Sequence, residues 1–512
     1  MLRQGALLVD QVGEEALEEL KAESTDYNGK ASEFYVYRET PHGILLPRYH
    51  QGIPAYLGAK SHQDGRVNKA FPEFKGDLWK EQAPGARNAL KVLAKEHGVF
   101  LNARPGSGKT VAGLYIACAL RPHKVLVLVD QDNLAEQWCE RIKKFVPDAK
   151  ISFIMPVASQ RALYKKFRGG LIPRDRFDLR GDFIIAMTQT YMHHSTPLKV
   201  GMVIVDEAHV FSAPRFSDTI FDVNFHYSLA LSATHTRRDG LEWIFRKMLG
   251  LTTVIMKGKT QKARALFYPV DTDFLRWKDQ TPNDKHTWFK CIWCKWHSKM
   301  TCRYECHQYC PTTKKLGTSS PQVLAQNCAS LYKIQDYNEA AVERMLASDP
   351  TYNAWIVETL GTFLLAGRDI FVFSRLREHL THLHELIRLT HGEVSGLYLG
   401  NATNIAARRA NAEALDKQLT LATFGKAGKG LDVQRKDGAL FAGPVGKHSV
   451  EQVIGRIERK LKGKMKPVAV HPIIPFPTHV ARMRGCLGFY RRNKYGIQAE
   501  ESLIRKIGGN GN

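Results

Sequence analysis

From residue 88 onward, the apolar positions fall into two alternating kinds of run. Short unbroken runs such as Val125–Val129 and 202–205 have the length of buried strands and lack the in–out alternation of a half-exposed sheet. Between them lie stretches with helical spacing of apolar residues, at 88–98, 110–120 and 133–145. The pattern predicts strands at 99–102, 124–130, 183–189 and 200–209, then a second series at 369–375, 396–399, 419–425 and 438–444, with helices at 351–367 and 377–390. Strands that alternate with helices and are apolar throughout imply parallel sheets covered on both faces. The fold class expected is therefore α/β, with two parallel-sheet lobes.

The alternation fails in two places. Residues 1–80 show only short strand-like pieces, 34–37 and 43–47, between Gly and Pro turns, and are expected to form a small α+β accessory domain. Residues 257–334 are rich in Lys, Cys, Trp and Gly and are expected to be an insert between the lobes. The boundaries so drawn are 1–80 accessory domain, 81–256 lobe 1, 257–334 insert, 335–475 lobe 2 and 476–512 basic C-terminal tail.

Length and composition narrow the classes. A chain of 512 residues with 44% hydrophobic residues can fill about three cores, which excludes a disordered, collagenous or disulfide-scaffold protein. The acidic first residues exclude a secretory signal, and no apolar run reaches the roughly 18 residues of a membrane span. A cytoplasmic, non-secreted protein with no membrane partner is expected. Lys plus Arg number 74 against 50 Asp plus Glu, a net charge of +24, which favours a polyanionic partner. Basic runs at 456–466 and 482–494, the latter with Phe489 and Tyr490, fit either solvated faces or backbone-tracking surfaces.

Chemistry enters at Ala103-Arg-Pro-Gly-Ser-Gly-Lys-Thr110, which follows a predicted strand and opens a predicted helix. Backbone amides at Gly106, Ser107 and Gly108 can wrap a phosphate, Lys109 can reach the β/γ-phosphates, and the Thr110 hydroxyl can bind Mg²⁺. ATP with Mg²⁺ is the implied cofactor pair. The apolar strand ending in Asp206-Glu207 supplies the second half: Asp206 to hold Mg²⁺ through water, Glu207 to orient and deprotonate the attacking water.

Six of nine cysteines crowd one segment. Cys291 and Cys294 form a C-x-x-C pair; Cys306 and Cys310, with Cys302 as substitute, complete four soft ligands for a structural Zn²⁺. Trp293, Trp296, Tyr304 and Tyr309 alternate with basic residues there, a mixture that suits either strand stacking or a tiny core.

Taken in order, the motifs resemble those of superfamily 2 helicases, and within them the XPB/UvsW-like viral branch. Besides the two nucleotide motifs, residues 129–138 with the Gln137-Trp138 pair, Thr188-Gln-Thr190, Leu231-Ser-Ala-Thr234, 371–375, 423–432 and Gln452-Val-Ile-Gly-Arg-Ile-Glu-Arg459 carry the resemblance, over about residues 89–460. Pro47-Arg48-Tyr49 adds a short piece at the N-terminal side. The Asp-Glu-Ala-His spelling at 206–209 also occurs in DEAH-box RNA helicases, but those carry a large C-terminal set of domains, whereas about fifty residues follow Arg459 here.

The resemblance implies two RecA-like lobes and ATP-driven unwinding or remodelling of DNA, single-stranded, duplex or branched, or of an RNA–DNA hybrid. Replication, recombination or transcription proteins would be its partners. A transcript-release factor, or the motor subunit of a restriction-type nuclease complex, are the alternatives. It implies that Gln452, Arg456 and Arg459, spaced i, i+4 and i+7, share one helix face and complete the ATP site, joined by Gly430 and Asp432. Ser232 and Thr234 would couple hydrolysis to movement, and Thr190, Ser374, Arg375 and Thr423 would contact the strand. Where relatives place an adenine-reading Gln, spacing puts Ala86, with Gln82 nearby.

Overall fold

The computed structural model describes residues 2–3, 6–9, 12–25, 31–50, 67–104, 106–167, 169, 177, 179–193, 198–208, 218–233, 240–258, 261–270, 272, 297–298, 301–302, 309–310, 315–316, 339–399, 405–424, 433–474 and 477–501. The chain divides into two compact units, Met1–Lys259 and Thr260–Asn512. Each contains one RecA-like lobe.

In the first unit, strands β1 (Leu2–Arg3), β2 (Ala6–Val9), β5 (Arg38–Thr40) and β6 (Gly43–Pro47) form an antiparallel sheet, beside a hairpin of β3 (Lys21–Thr25) and β4 (Ala31–Tyr35). The lobe itself is a seven-stranded parallel sheet. Its strands are β7 (Gly98–Ala103), β8 (Val125–Val129), β9 (Ile151–Ile154), β10 (Phe183–Met187), β11 (Leu198–Asp206), β12 (Val223–Ser232) and β13 (Thr253–Met256), ordered β13-β7-β12-β11-β8-β10-β9. Every residue of β8 and β10 is buried, which is why their sequences are apolar without alternation. Successive residues serve opposite cores. Val125, Val127 and Val129 face one cluster with helices α2 (Ala83–Glu96), α3 (Lys109–Leu120) and α4 (Asp132–Phe145). Leu126 and Leu128 face the other, with Phe245 and Met248 from the helix Glu242–Leu249.

The small N-terminal domain is docked on that second face. Ala6, Ala22, Val36 and Leu45 join its cluster. The Arg48 guanidinium, buried and lying over the Phe225 ring, donates to the carbonyls of Phe225 (2.8 Å) and His226 (2.9 Å). Tyr49 N–H donates to the Lys247 carbonyl at 2.8 Å. Arg38 pairs with Asp218 and Asp222. The short Pro-Arg-Tyr piece of the sequence is thus the anchor between the two parts.

The second unit holds another seven-stranded parallel sheet. It is built from β14 (Arg264–Pro269), β19 (Ile370–Ser374), β20 (Ser395–Tyr398), β21 (Leu419–Thr423), β22 (Gly438–Phe441), β23 (Val468–Ile473) and β24 (Gly496–Gln498), ordered β20-β21-β19-β22-β23-β14-β24. Four two-residue strands, β15 (His297–Ser298) to β18 (Lys315–Leu316), form two separate ladders.

Two stretches differ from the expectation. Residues 264–269, placed in the insert, are a strand of the second sheet, paired with β23 and β24. Residues 477–492, placed in a basic tail, are a helix whose Phe489 and Tyr490 are core residues. The Tyr490 hydroxyl lies 2.8 Å from His471 Nε2, and Tyr490 packs edge-on to Phe267. Its aromatic residues fill the core rather than offering a stacking surface. Both segments were hidden by the Lys and Arg around them, whose charged ends reach water while the intervening side chains pack inward.

Replacing Arg48 by Met roughly keeps its volume but strips a buried and a part-buried carbonyl of this donor. A loss of about 1.5–3 kcal/mol from the first unit is expected, with faster proteolysis within residues 1–66, both read by denaturant unfolding and limited digestion.

In the second unit, burial pushes His379 and His471 down to about 3 and His479 to about 4, from the usual 6.5. Unfolded chains protonate these rings near 6.5, so stability falls as pH drops from about 6.5 toward 4, by up to ~1.4 kcal/mol per ring per pH unit. Burial also raises Glu343 to about 7, which opposes that trend. The variant His479→Leu isolates one ring: its unfolding temperature should fall less than wild type between pH 7 and pH 5, and an identical fall in both would refute the assignment.

Candidate active site

Strand β7 delivers the chain into a loop that helix α3 closes. Gly106 (φ 76°) and Gly108 (φ 80°) take left-handed backbone conformations that glycine adopts without strain. Gly108 also has no room for a side chain, because a Cβ would strike the Gln82 amide nitrogen. As the residue capping α3, it offers no side-chain acceptor to the first turn. The helix therefore presents its N-terminal amides and positive dipole end to the loop, the arrangement that binds phosphate.

Three neighbouring strand ends line this loop. β12 lies between β7 and β11, with Ser232 paired to Asn102 and Leu231 paired to Asp206. Ser232 is fully buried there, beside both halves of the site. Asp206 is also buried. Its Oδ2 accepts a hydrogen bond from Trp138 Nε1 at 2.9 Å, and its Oδ1 accepts one from Glu207 N–H at 3.0 Å. Burial, then the Glu207 charge, push the Asp206 carboxyl up to about 6, against the opposing pull of Lys109 and Trp138. Glu207 turns the chain at φ 50° and its Oε1 lies 3.5 Å from Lys109 Nζ. The loop lysine and the strand-end acids therefore meet in space, 98 residues apart in sequence.

The donor set fits a hard divalent cation: a carboxylate at Asp206 and a hydroxyl at Thr110, both oxygen ligands. A cation there would favour the ionised carboxylate that burial alone disfavours.

Gln82, not Ala86, reaches the loop. Ala86 is a core residue of α2, whereas Gln82 caps that helix with its side chain buried. Its Oε1 accepts from Trp79 N–H (3.0 Å) and its Nε2 donates to the Ser107 carbonyl (2.6 Å). Ala86 lies one helical turn further on. The sequence signal was available in Gln-Ala-Pro, since Pro favours the first helical turn and so marks the helix start at Gln82. Trp138 is a second residue missed as a site component: it donates to Asp206, whereas the sequence marked it only as part of the resemblance over 129–138.

In the second unit, Gln452 and Arg456 lie one turn apart on the helix Lys447–Ile457. Gln452 Nε2 is 3.1 Å from His448 Nε2. Arg456 is buried, near enough to Tyr398 for its charge to hold back the rise that burial imposes on the phenol. The expected single helix face does not extend to Arg459. The helix stops at Ile457, and the Glu458 carboxylate accepts from Ala263 N–H (2.9 Å) and the Tyr495 hydroxyl (3.2 Å), which pulls the chain out of the helix before Arg459.

Ser374 and Thr423 pair across β19 and β21. The Ser374 hydroxyl is turned inward, 3.2 Å from His379 Nδ1 and accepting from Leu376 N–H at 3.2 Å. Arg375 forms an ion pair with buried Glu343 at 3.1 Å. Thr190 and Thr423 are half-buried. Thr234, Gly430, Asp432, Cys291, Cys294 and Cys306 lie outside the described residues, and Cys302 and Cys310 are described only as backbone of two-residue strands. Among the described residues, no group of three or more His, Cys, Asp or Glu could hold a metal ion, and no helix is long and apolar enough to cross a membrane.

Residues 60–237 match the family model of the Type III restriction enzyme, res subunit. An ATP-dependent RNA helicase of Acanthamoeba polyphaga mimivirus is 22% identical over 97% of this chain and 86% of its own length. A helicase of Invertebrate iridescent virus 6 is 28% identical over 55% of this chain and 60% of its own length. A helicase of Escherichia phage T5 is 22% identical over 77% of this chain and 72% of its own. With two RecA-like lobes and a phosphate loop meeting strand-end carboxylates, this chain is similar to ATP-hydrolysing superfamily 2 helicases, those of viruses among them.

Proposed function

We propose that this helicase is an ATP-driven motor of the XPB/UvsW-like branch that translocates on DNA and remodels duplex or branched structures. One observation carries the reading: Lys109 of the phosphate loop lies against Glu207, next to the buried Asp206, at the ends of two parallel strands that flank β12. Phosphoryl transfer needs positioning and charge more than covalent chemistry, and those three residues supply both. In this scheme the amides of Gly106, Ser107 and Gly108 cradle the phosphates with Lys109. Thr110, and Asp206 through water, would hold Mg²⁺, whose charge would offset that of the phosphates. Glu207 positions and deprotonates water, and Gln82, its amide engaged by Trp79 N–H and the Ser107 carbonyl, fixes the loop.

The motif resemblance assigns roles in ATP hydrolysis to Gln452, Arg456, Arg459, Gly430 and Asp432 of the second unit. Ser232 and Thr234 relay the state of the site to the track. Of the strand-contacting set, the half-buried Thr190 and Thr423 are better placed to touch a backbone than Ser374, whose hydroxyl is spent on His379 and Leu376. The excess of +24 charges supplies sequence-independent affinity for phosphates. An RNA track is the competing reading, since the mimivirus relative is named as an RNA helicase.

ATP hydrolysis measured with single-stranded, forked, four-way and RNA–DNA substrates tests the proposal. DNA is expected to stimulate turnover, and Lys109→Ala to abolish it. Arg456→Ala should lower it by about 10³-fold or more while ATP still binds. Turnover indifferent to DNA but raised by RNA would replace the track.

The segment holding Cys291, Cys294, Cys306 and Cys310 is proposed, on spacing alone, to bind one structural zinc. Metal analysis should find about one equivalent per chain, lost in Cys291→Ser. A metal-free wild-type chain, purified without chelator, would rule the site out.

A further inference from the structure

Trp138 is fully buried in the first lobe, and a buried tryptophan is most simply a core residue. Its two ends say more than that. At one end the indole abuts helix α3: a Cβ added at Gly113 would lie 3.3 Å from its Cη2 and 3.4 Å from Leu231. Gly113 stands one turn beyond Lys109, so this contact bears on the helix that ends in the phosphate loop. At the other end Nε1–H donates to Asp206 Oδ2 at 2.9 Å. One rigid side chain therefore spans from the phosphate-loop helix to the strand-end carboxylate.

An indole nitrogen can only donate, and a carboxylate removed from water must be given donors. Asp206 has two, from different elements: Trp138 on its Oδ2 and the Glu207 backbone on its Oδ1. Donors on both oxygens fix the carboxyl plane as well as its position. Phenylalanine would keep an aromatic ring in the core, fill part of the same space and supply no donor.

We propose that Trp138 is a positioning residue, setting the orientation of the Asp206 carboxylate and its distance from the phosphate-loop helix so that a divalent cation with nucleotide is held between them. The proposal rests on the ATPase reading above and adds a residue to it. It accounts for a tryptophan at this place in α4, where a core of Leu, Ile and Val would otherwise suffice.

The test compares wild type with Trp138→Phe in the full chain. Mn²⁺ binding in the presence of ADP, read by electron paramagnetic resonance of the free ion, should weaken by about tenfold, as loss of an outer-shell partner does elsewhere. The Mg²⁺ concentration that half-saturates ATP hydrolysis should rise by a similar factor of about ten. Thermal unfolding without metal or nucleotide should move by no more than about 5 °C. Equal Mn²⁺ binding and equal Mg²⁺ demand in the two proteins would overturn the proposal, as would unchanged binding with a collapse in unfolding temperature. Should Trp138→Phe fail to fold, Gly113→Ala presses on the indole without touching its N–H; about a two- to threefold weakening of Mn²⁺ is expected there, and none would again overturn it. A wild-type chain that hydrolyses no ATP would sink the ATPase reading, while Mn²⁺ binding, which needs no turnover, still decides the role of Trp138.

Discussion

A carboxylate at the end of an apolar strand has left water and must be compensated by whatever surrounds it. At Asp206 that demand organises the first lobe. The indole of Trp138 and the backbone of Glu207 hold its oxygens, and Lys109 brings a positive charge to the neighbouring Glu207. Each partner comes from a different element, so the position of α4, the turn after β11 and the start of α3 are tied to one buried charge. Without a cation, burial leaves that carboxyl with a raised pKa of about 6. The site is thus poised toward a positive ligand, as a metal–nucleotide site has to be.

The same economy governs the phosphate loop. Its two left-handed glycines let the backbone turn tightly, and the Gln82 amide occupies the space that a side chain at Gly108 would need. Gly258 lies equally close to Ser107, where a Cβ would collide with that residue. The loop is gripped from two sides by a helix cap and by the segment after β13. Such close packing keeps the amides pointing at one place, which is what electrostatic positioning of a phosphate requires.

Both lobes solve one packing problem in the same way. A parallel strand is buried on both faces, so successive residues must feed two cores. Ile370 and Val372 face one cluster of the second lobe, and Phe371 and Phe373 face the other. The first lobe also uses one face to seat the N-terminal domain, through the buried Arg48 and its carbonyl partners. A segment with little core of its own is thereby stabilised by a surface that would otherwise need a further helix.

Much of this was legible in the sequence. Continuous apolar runs flanked by helical spacing fixed the α/β class, and β7, β8, β10, β11, β19, β21 and β22 fall where the runs do, because a strand buried on both faces has no freedom to be polar. Phosphate-loop chemistry was equally legible, since its residue types are dictated by backbone geometry and ligand charge within one short segment. Strands β9, β12, β13, β14, β23 and β24 were not: β9 and β13 are only four residues long, β12 mixes Asn, His and Ser into its apolar run, and basic residues flank β14, β23 and β24. Which Gln reaches the loop, where the helix before Arg459 ends, and what Trp138 does were decided only by tertiary structure. Each depends on a partner distant in sequence: Ser107 for Gln82, Ala263 and Tyr495 for Glu458, Asp206 for Trp138. Local pattern specifies what a residue can donate or bury, whereas the fold alone specifies what stands opposite it.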